Sequence, residues 1–204
     1  MSAYIYLEGG ARGANSKYVA IRCQQAFHTL LDGMGFKGRK PRLVACGSRG
    51  SVYERFCIEH SRQTGGYVAL WIDSEEPMAD VEKAWKHLRE VTTVPAWHTP
   101  AGAEDEQVLL MTTCMETWIV ADRENLREHF KQGLNENQLP PLTDLERRLR
   151  GDVQDRLERA TRECKNAYAK GERSYAALEG VDPKVLMGHL PSFDRVMRIL
   201  SKKL

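Results

Sequence analysis

Residues 67–73 read YVALWID, an apolar and aromatic run that stops on an acid. A strand with apolar side chains at successive positions has no face to offer water. It belongs in the middle of a sheet covered on both sides, the usual state of parallel sheets in α/β proteins. The neighbouring segments fit that requirement. Residues 3–7 (AYIYL) make a short buried strand ending at Glu8-Gly9-Gly10, and RLVACG (42–47) makes another. Between them Val19, Cys23, Ala26, Phe27, Leu30, Leu31 and Met34 recur at helical spacing over residues 16 to about 34. Asn15 or Ser16 can cap that helix, and Gly33 and Gly35 can stop it. SVYERFCIEHSR (51–62) reads as a second helix. The alternation predicts an α/β fold, a parallel-sheet core with flanking crossover helices.

After residue 73 the rhythm loosens. A short helix is expected near DVEKAWKHLRE, and QVLLMTTCMETWIVAD (107–122) divides into a strand to about Thr112 and a helix over 115–121. A single helix over the whole segment is the alternative. RENLREHF continues as helix, residues 133–143 form a linker with a Pro140-Pro141 stop, and residues 144–170 read as one long charged helix. Two short helices follow, at about 174–180 and 192–203, separated by VDP and HLP. The expected division is an α/β domain over 1–130 with a C-terminal helical region, 131–204, packed on it.

The 204 residues carry thirty basic and twenty-eight acidic side chains, so net charge alone does not announce a nucleic-acid binder. No stretch of about eighteen apolar residues is present, and MSAYIYLEGG has no basic region leading into an apolar run. A cytoplasmic protein with no membrane partner is expected. The five cysteines form no C-x-x-C pair, which argues against a zinc knuckle or a disulfide framework. Cys23, Cys46 and Cys57 read as small buried thiols.

The acids are more informative. In an open parallel sheet, functional groups gather at the carboxyl ends of strands. Glu8 ends the first strand and Asp73 the third; if those strands are neighbours, Glu8, Asp73 and Glu75 converge. In an extended segment Asp73 and Glu75 would also share a side. Three crowded carboxylates repel, and a divalent cation relieves the repulsion; hard oxygen donors suit Mg2+ or Mn2+. Any one of these acids alone is better explained as a solvated loop residue or helix cap.

YLEGG near the N-terminus and WIDSE after the third strand resemble the Toprim (topoisomerase–primase) signature, a glutamate after the first strand and an acidic pair after the third. LEGG…SK, ACGSRGSVYERFC, DSEEP, QVLLMTTCMETWIVADRE, YAKGERSYAALEGVDP and PSFDRV, in that order, resemble one uncharacterised bacterial family, domain of unknown function number 4276. That resemblance implies a Toprim-like fold and association with ATPase-containing anti-phage defence loci. It implies Glu8 as general base or metal ligand, and Asp73 and Glu75 as metal ligands. Two departures stand out: GGARGAN supplies Arg12 and Asn15 where Toprim nucleases often carry another acid, and the pair is Asp-x-Glu rather than Asp-x-Asp.

Other polar residues join this picture. Glu116 lies inside an apolar segment, where an unpartnered carboxylate is costly. It is a candidate fourth metal ligand, a salt-bridge partner of Arg22 or Arg49, or a solvent-facing helix residue. GARGANSK (10–17) and CGSRGS (46–51) are strand-to-helix turns whose amides, with Lys17 and Arg49, could hold phosphate. Lys170 and Arg173 could reach the site from the helical tail, Lys170 to stabilise developing charge. Arg22 completes the candidate phosphate contacts. Each basic residue is equally an ordinary surface charge. The arginines of 147–162 alternate with acids as a solvated face does. The expected function is a metal-dependent nucleic-acid phosphodiesterase, acting on DNA or RNA, with a separate ATPase subunit and a homo-oligomer as a further option. The alternative is a non-catalytic binding or regulatory subunit on the same fold.

Overall fold

The structure, a computed structural model, describes residues 2–10, 16–62, 65–91 and 97–204. Among them β1 (Ala3–Leu7), β2 (Arg42–Ala45), β3 (Tyr67–Asp73) and β4 (Val108–Met111) form a four-stranded sheet in the order β2-β1-β3-β4. Every neighbouring pair is parallel. The helices α1 (Ser16–Gly33), α2 (Arg49–Ser61) and α3 (Ala84–Glu90) lie in the three crossovers.

Alternation decides which helix each strand residue meets. Ile5, Leu7, Leu43, Ala69, Trp71, Leu109 and Met111 point into the core shared with α1 and the later helices. Tyr6, Val68, Leu70, Ile72, Val108 and Leu110 point the other way, against Val52 and Phe56 of α2 and Trp85 and Leu88 of α3. All seven residues of β3 are buried, as a strand without a polar face requires. The four tryptophans pack in the core.

The remaining chain is helical: α4 (Met115–Ala121), α5 (Arg123–Phe130), α6 (Arg150–Thr161), α7 (Glu172–Leu178), α8 (Pro183–His189) and α9 (Pro191–Lys203). A run of aromatic rings ties these helices to the sheet. Trp71 meets Phe27 edge-on at 4.9 Å and Trp118 at 5.9 Å, and Trp118 meets Phe193 of α9 at 4.9 Å. Such pairs add about 0.5–1.5 kcal/mol each beyond the area they bury. The β4–α4 division at 111–115 is the one the sequence predicts.

Three expectations need correction. Residues 144–170 are not one helix. Leu145–Arg147 form a 3-10 turn, Arg148 and Leu149 are extended, and α6 begins only at Arg150. The break is tertiary: Leu145 is buried and the Arg148 carbonyl accepts from Thr113 Oγ1 at 3.2 Å. The far end stops at Thr161, whose hydroxyl donates to the Leu157 carbonyl and accepts from Tyr168 N–H, turning the chain inward. Second, the stretch from VDP to HLP, expected only to separate two helices, contains a third, α8. Asp182 caps α8 by accepting from Lys184 N–H, with Pro183 at a first-turn position where its missing N–H costs nothing. Third, Glu75 is not extended but left-handed, at φ 68°.

A half-buried acid meets the start of the last helix. The Glu146 carboxylate accepts from the Ser192 N–H at 3.1 Å and from the Ser192 hydroxyl, at the N-terminus of α9. Burial outweighs these hydrogen bonds and pushes its pKa up to about 7 from 4.5. The folded state therefore holds this proton where the unfolded chain has released it, so the contribution is full below pH 4.5 and is lost as pH rises through 7. Urea unfolding across that window should show Glu146→Gln losing less stability than the parent chain, by about 2–3 kcal/mol. Parallel pH profiles for the two proteins would refute this assignment.

Candidate functional site

The parallel pairing of β1 with β3 sets Leu7 opposite Trp71, and the register continues one step past the strand. Glu8 N–H donates to the Trp71 carbonyl at 2.9 Å, and Glu8 Oε2 accepts from Asp73 N–H at 3.1 Å. The two acids are thereby fixed at the carboxyl ends of adjacent strands. Gly9 follows with φ 148°; a Cβ there would lie 2.5 Å from the Tyr175 hydroxyl and 2.6 Å from Cys23 Sγ. Only glycine lets the chain leave Glu8 in this direction. Gly10 N–H then donates to the Tyr175 hydroxyl at 3.1 Å.

Asp73 is buried, and its Oδ1 accepts from Met115 N–H, the first residue of α4, at 2.9 Å. Glu75 reaches the same point through its left-handed backbone, with its N–H donating to the Thr113 carbonyl at 3.0 Å. A non-glycine residue held in that region at a polar cleft is a common sign of a functional position. One carboxylate oxygen from each of Glu8, Asp73 and Glu75 lies within 4.8 Å of the others. The expected convergence is present, but Glu75 arrives by a turn instead of by strand alternation.

Two arginines share this space. Arg49, in the first turn of α2, stands 3.4 Å from Glu75 Oε1 and donates to the Asp73 carbonyl. Its guanidinium also covers the Trp97 ring, 5.3 Å from the centroid. Arg150, the first residue of α6, pairs with Glu75 Oε2 and lies 3.9 Å from Asp73 Oδ2. Burial opposes its charge, but Asp73 and Glu75 outweigh burial and hold its pKa above the ordinary value. The charges do not balance everywhere. Burial pushes Glu8 up to about 7 despite Arg49 and the Asp73 amide. Burial, then Glu8 and Glu116, push Asp73 well above the carboxylate range.

Glu116 stands apart from the three. The Tyr168 hydroxyl and the Gln154 amide, the latter at 3.1 Å, donate to its carboxylate. Burial opposes its charge, but these hydrogen bonds win and hold its pKa below the usual value. Neither a metal-ligand geometry nor a pairing with Arg22 or Arg49 resolves its burial; a tyrosine and a glutamine do. Its charge still acts on Asp73 from behind.

Of the basic candidates, Arg49 reaches the acids. Arg22 is committed to Glu179 at 3.1 Å and Gln25 at 3.0 Å. Arg173 donates to the Ala167 carbonyl at 3.0 Å and borders a separate cavity with Lys131 and Lys165. Lys17 and Lys170 are exposed, and among the described residues no ion pair joins either to the three carboxylates. Most of the GARGANSK turn, with Arg12 and Asn15, lies outside the described residues. Arg150 is the residue that sequence reasoning missed. It sits in an arginine-rich stretch with Arg147, Arg148, Arg156 and Arg159, and no spacing rule singles it out.

The family model described as Domain of unknown function (DUF4276) matches residues 13–201. This chain belongs to that family. No curated protein and no solved structure matches it. The DUF4276 match takes in Asp73, Glu75, Glu116 and Arg150, and begins after Glu8. No helix among the described residues is long and apolar enough to cross a membrane.

The crowding in this DUF4276 chain has a spectroscopic consequence. Carboxyl 13C NMR should show Glu8 titrating near pH 7, well above an ordinary glutamate at 4.5. Arg49→Ala should move that midpoint further upward, because the guanidinium favours the ionised form. A Glu8 midpoint in the ordinary range, or a downward shift in the variant, would contradict the described electrostatics.

Proposed function

We propose that this chain is a metal-dependent phosphodiesterase acting on nucleic acid, with Glu8, Asp73 and Glu75 holding Mg2+ or Mn2+. The convergence of three carboxylates at the ends of two adjacent parallel strands carries the reading. The donor set fits such an ion: it is all hard oxygen, with Glu8 pushed toward protonation by burial and then Glu75, and Asp73 by burial and then Glu8 and Glu116. Sheet order supports a Toprim-like reading of the fold, since the strand before Glu8 and the strand bearing Asp73 are neighbours.

A bound divalent ion would stabilise charge on the scissile phosphate and lower the pKa of a water. The chain's own residues supply the rest. Arg49 and Arg150 present planar guanidiniums at the rim of the cluster, a geometry that matches phosphate oxygens in pairs. The Glu8 carboxylate, held by the Asp73 N–H, can take a proton from water when it is not engaged on the ion. The Glu116 charge raises the Asp73 pKa and so adds to the repulsion that a cation would relieve. A separate ATPase subunit and a role in anti-phage defence complete the proposal; the absence of a nucleoside-triphosphate motif in this sequence supports a separate subunit.

One observation favours a second reading. Glu75 is already paired on both oxygens, with Arg49 and Arg150, so the cluster can also be a charge-balanced binding surface that cuts nothing. Cleavage assays on plasmid, single-stranded DNA and transfer RNA with magnesium or manganese separate the two. Metal-dependent cleavage that falls at least about 100-fold in Asp73→Asn and in Glu8→Gln is expected. Inactivity on all three substrates, including with an ATPase partner present, would favour the binding subunit.

A further inference from the structure

A second polar site lies on the helical region. Lys131, Lys165 and Arg173 line a cavity of about 510 Å3 together with His129, Asn166 and Phe130. No carboxylate lines it. The other well-formed cavities differ in this respect. One sets Glu59 and Glu104 beside Lys202 and Lys203, another sets Glu76, Asp80 and Glu90 beside Lys83 and Lys86, and a third holds Asp144 and Glu146. In a chain whose charges nearly cancel, three cations facing one concavity without an acid is the exception.

The arrangement is built by the backbone. Lys131 ends α5 in the left-handed region, φ 54°, with its N–H still bonded to the Arg127 carbonyl at 2.9 Å. Asn166 Nδ2 donates to the His129 carbonyl at 2.9 Å and ties the α6–α7 connection, which carries Lys165, to that turn. Arg173 enters from the first turn of α7. Phe130 is buried beneath, so the concavity has an apolar floor and a cationic rim. Two acids of the neighbouring helices are engaged elsewhere, Glu136 with Arg127 and Glu179 with Arg22. Among the described residues none of the three cations takes part in an ion pair, and no other residue lining the cavity is an aspartate or glutamate.

We propose that this cavity binds the phosphodiester backbone of a nucleic-acid strand. Ammonium and guanidinium groups converging without a counter-charge match phosphate oxygens, and the apolar floor suits a sugar or base face. The inference rests on the reading of the strand-end acids as a nucleic-acid site and extends it. Helix α7 connects the two places. Arg173 lines the cavity, and Tyr175, two residues on, receives the Gly10 N–H beside Glu8. Two residues apart on α7, these side chains leave the helix about 200° from one another.

The test is fluorescence anisotropy of a short labelled single-stranded oligonucleotide with the full chain, in EDTA, over a salt series. Lys131→Gln and Lys165→Gln should each weaken binding about tenfold. Each should also flatten the log–log salt slope by about 0.7. Lys202→Gln, a lysine engaged with Glu106, should leave both unchanged. Unaltered affinity and slope in the two cavity variants overturns the proposal, as does an equal loss in Lys202→Gln. Failure of the parent chain to bind the oligonucleotide, or binding of inorganic phosphate or an acidic peptide in its place, also overturns it. A manganese titration of the same variants keeps the readings distinct. Full manganese binding with no oligonucleotide effect sinks the cavity and leaves the metal centre standing, whereas lost manganese binding in Asp73→Asn bears only on the metal centre.

Discussion

The parallel pairing of β1 with β3 is the constraint from which the site follows. It places the Glu8 carboxylate on the Asp73 amide and leaves no freedom to move either acid away. Two unit charges about 4 Å apart near a protein surface repel by about 4 kcal/mol, and Glu75 adds a third. A fold can relieve such crowding by protonation, by cationic side chains or by a bound ion. The first two are visible: Glu8 and Asp73 are shifted toward their neutral forms, and Arg49 and Arg150 attend Glu75. The third is what the proposed function adds.

Arg150 gives the helical region a part in the site. Its position depends on the broken stretch before α6, where Leu145 is anchored in the core and Arg148 is extended to meet Thr113. Had residues 144–170 continued as one helix, Arg150 would have faced a direction set by helical phase alone. Tyr168 and Gln154 likewise come from this region to hold Glu116, and Tyr175 comes from it to close over Gly9 and Gly10. The aromatic contacts from Trp71 through Trp118 to Phe193 cross residue 130 in the same way.

Much of the sheet was legible because burial on two faces leaves a strong mark. YVALWID could be little other than a central strand, and the helical spacing from Val19 to Met34 places α1. The pairing of Glu8 with Asp73 was legible too, since parallel strands gather their following residues at one edge. Local pattern failed where tertiary contacts overrode it. The apolar positions from Leu145 to Cys164 keep a helical period, yet Arg148 bonds to distant Thr113 and Thr161 to Tyr168 across a turn, so the helix starts late and ends early. Asp-x-Glu spacing suggested alternation, but the Thr113 carbonyl captures Glu75 N–H and bends the chain. Arg150 was illegible because its neighbours are arginines as well, and only the fold distinguishes the one aimed inward. The family match, for its part, establishes kinship and no chemistry.

Anomalous diffraction from crystals grown with manganese reports on the carboxylate cluster without reference to any substrate. An anomalous peak within about 2.0–2.6 Å of oxygens from Glu8, Asp73 and Glu75, with Arg150 drawn off Glu75, is the expected result. A map with no peak there at saturating manganese, and with Glu75 still held between the two guanidiniums, would contradict the metal centre.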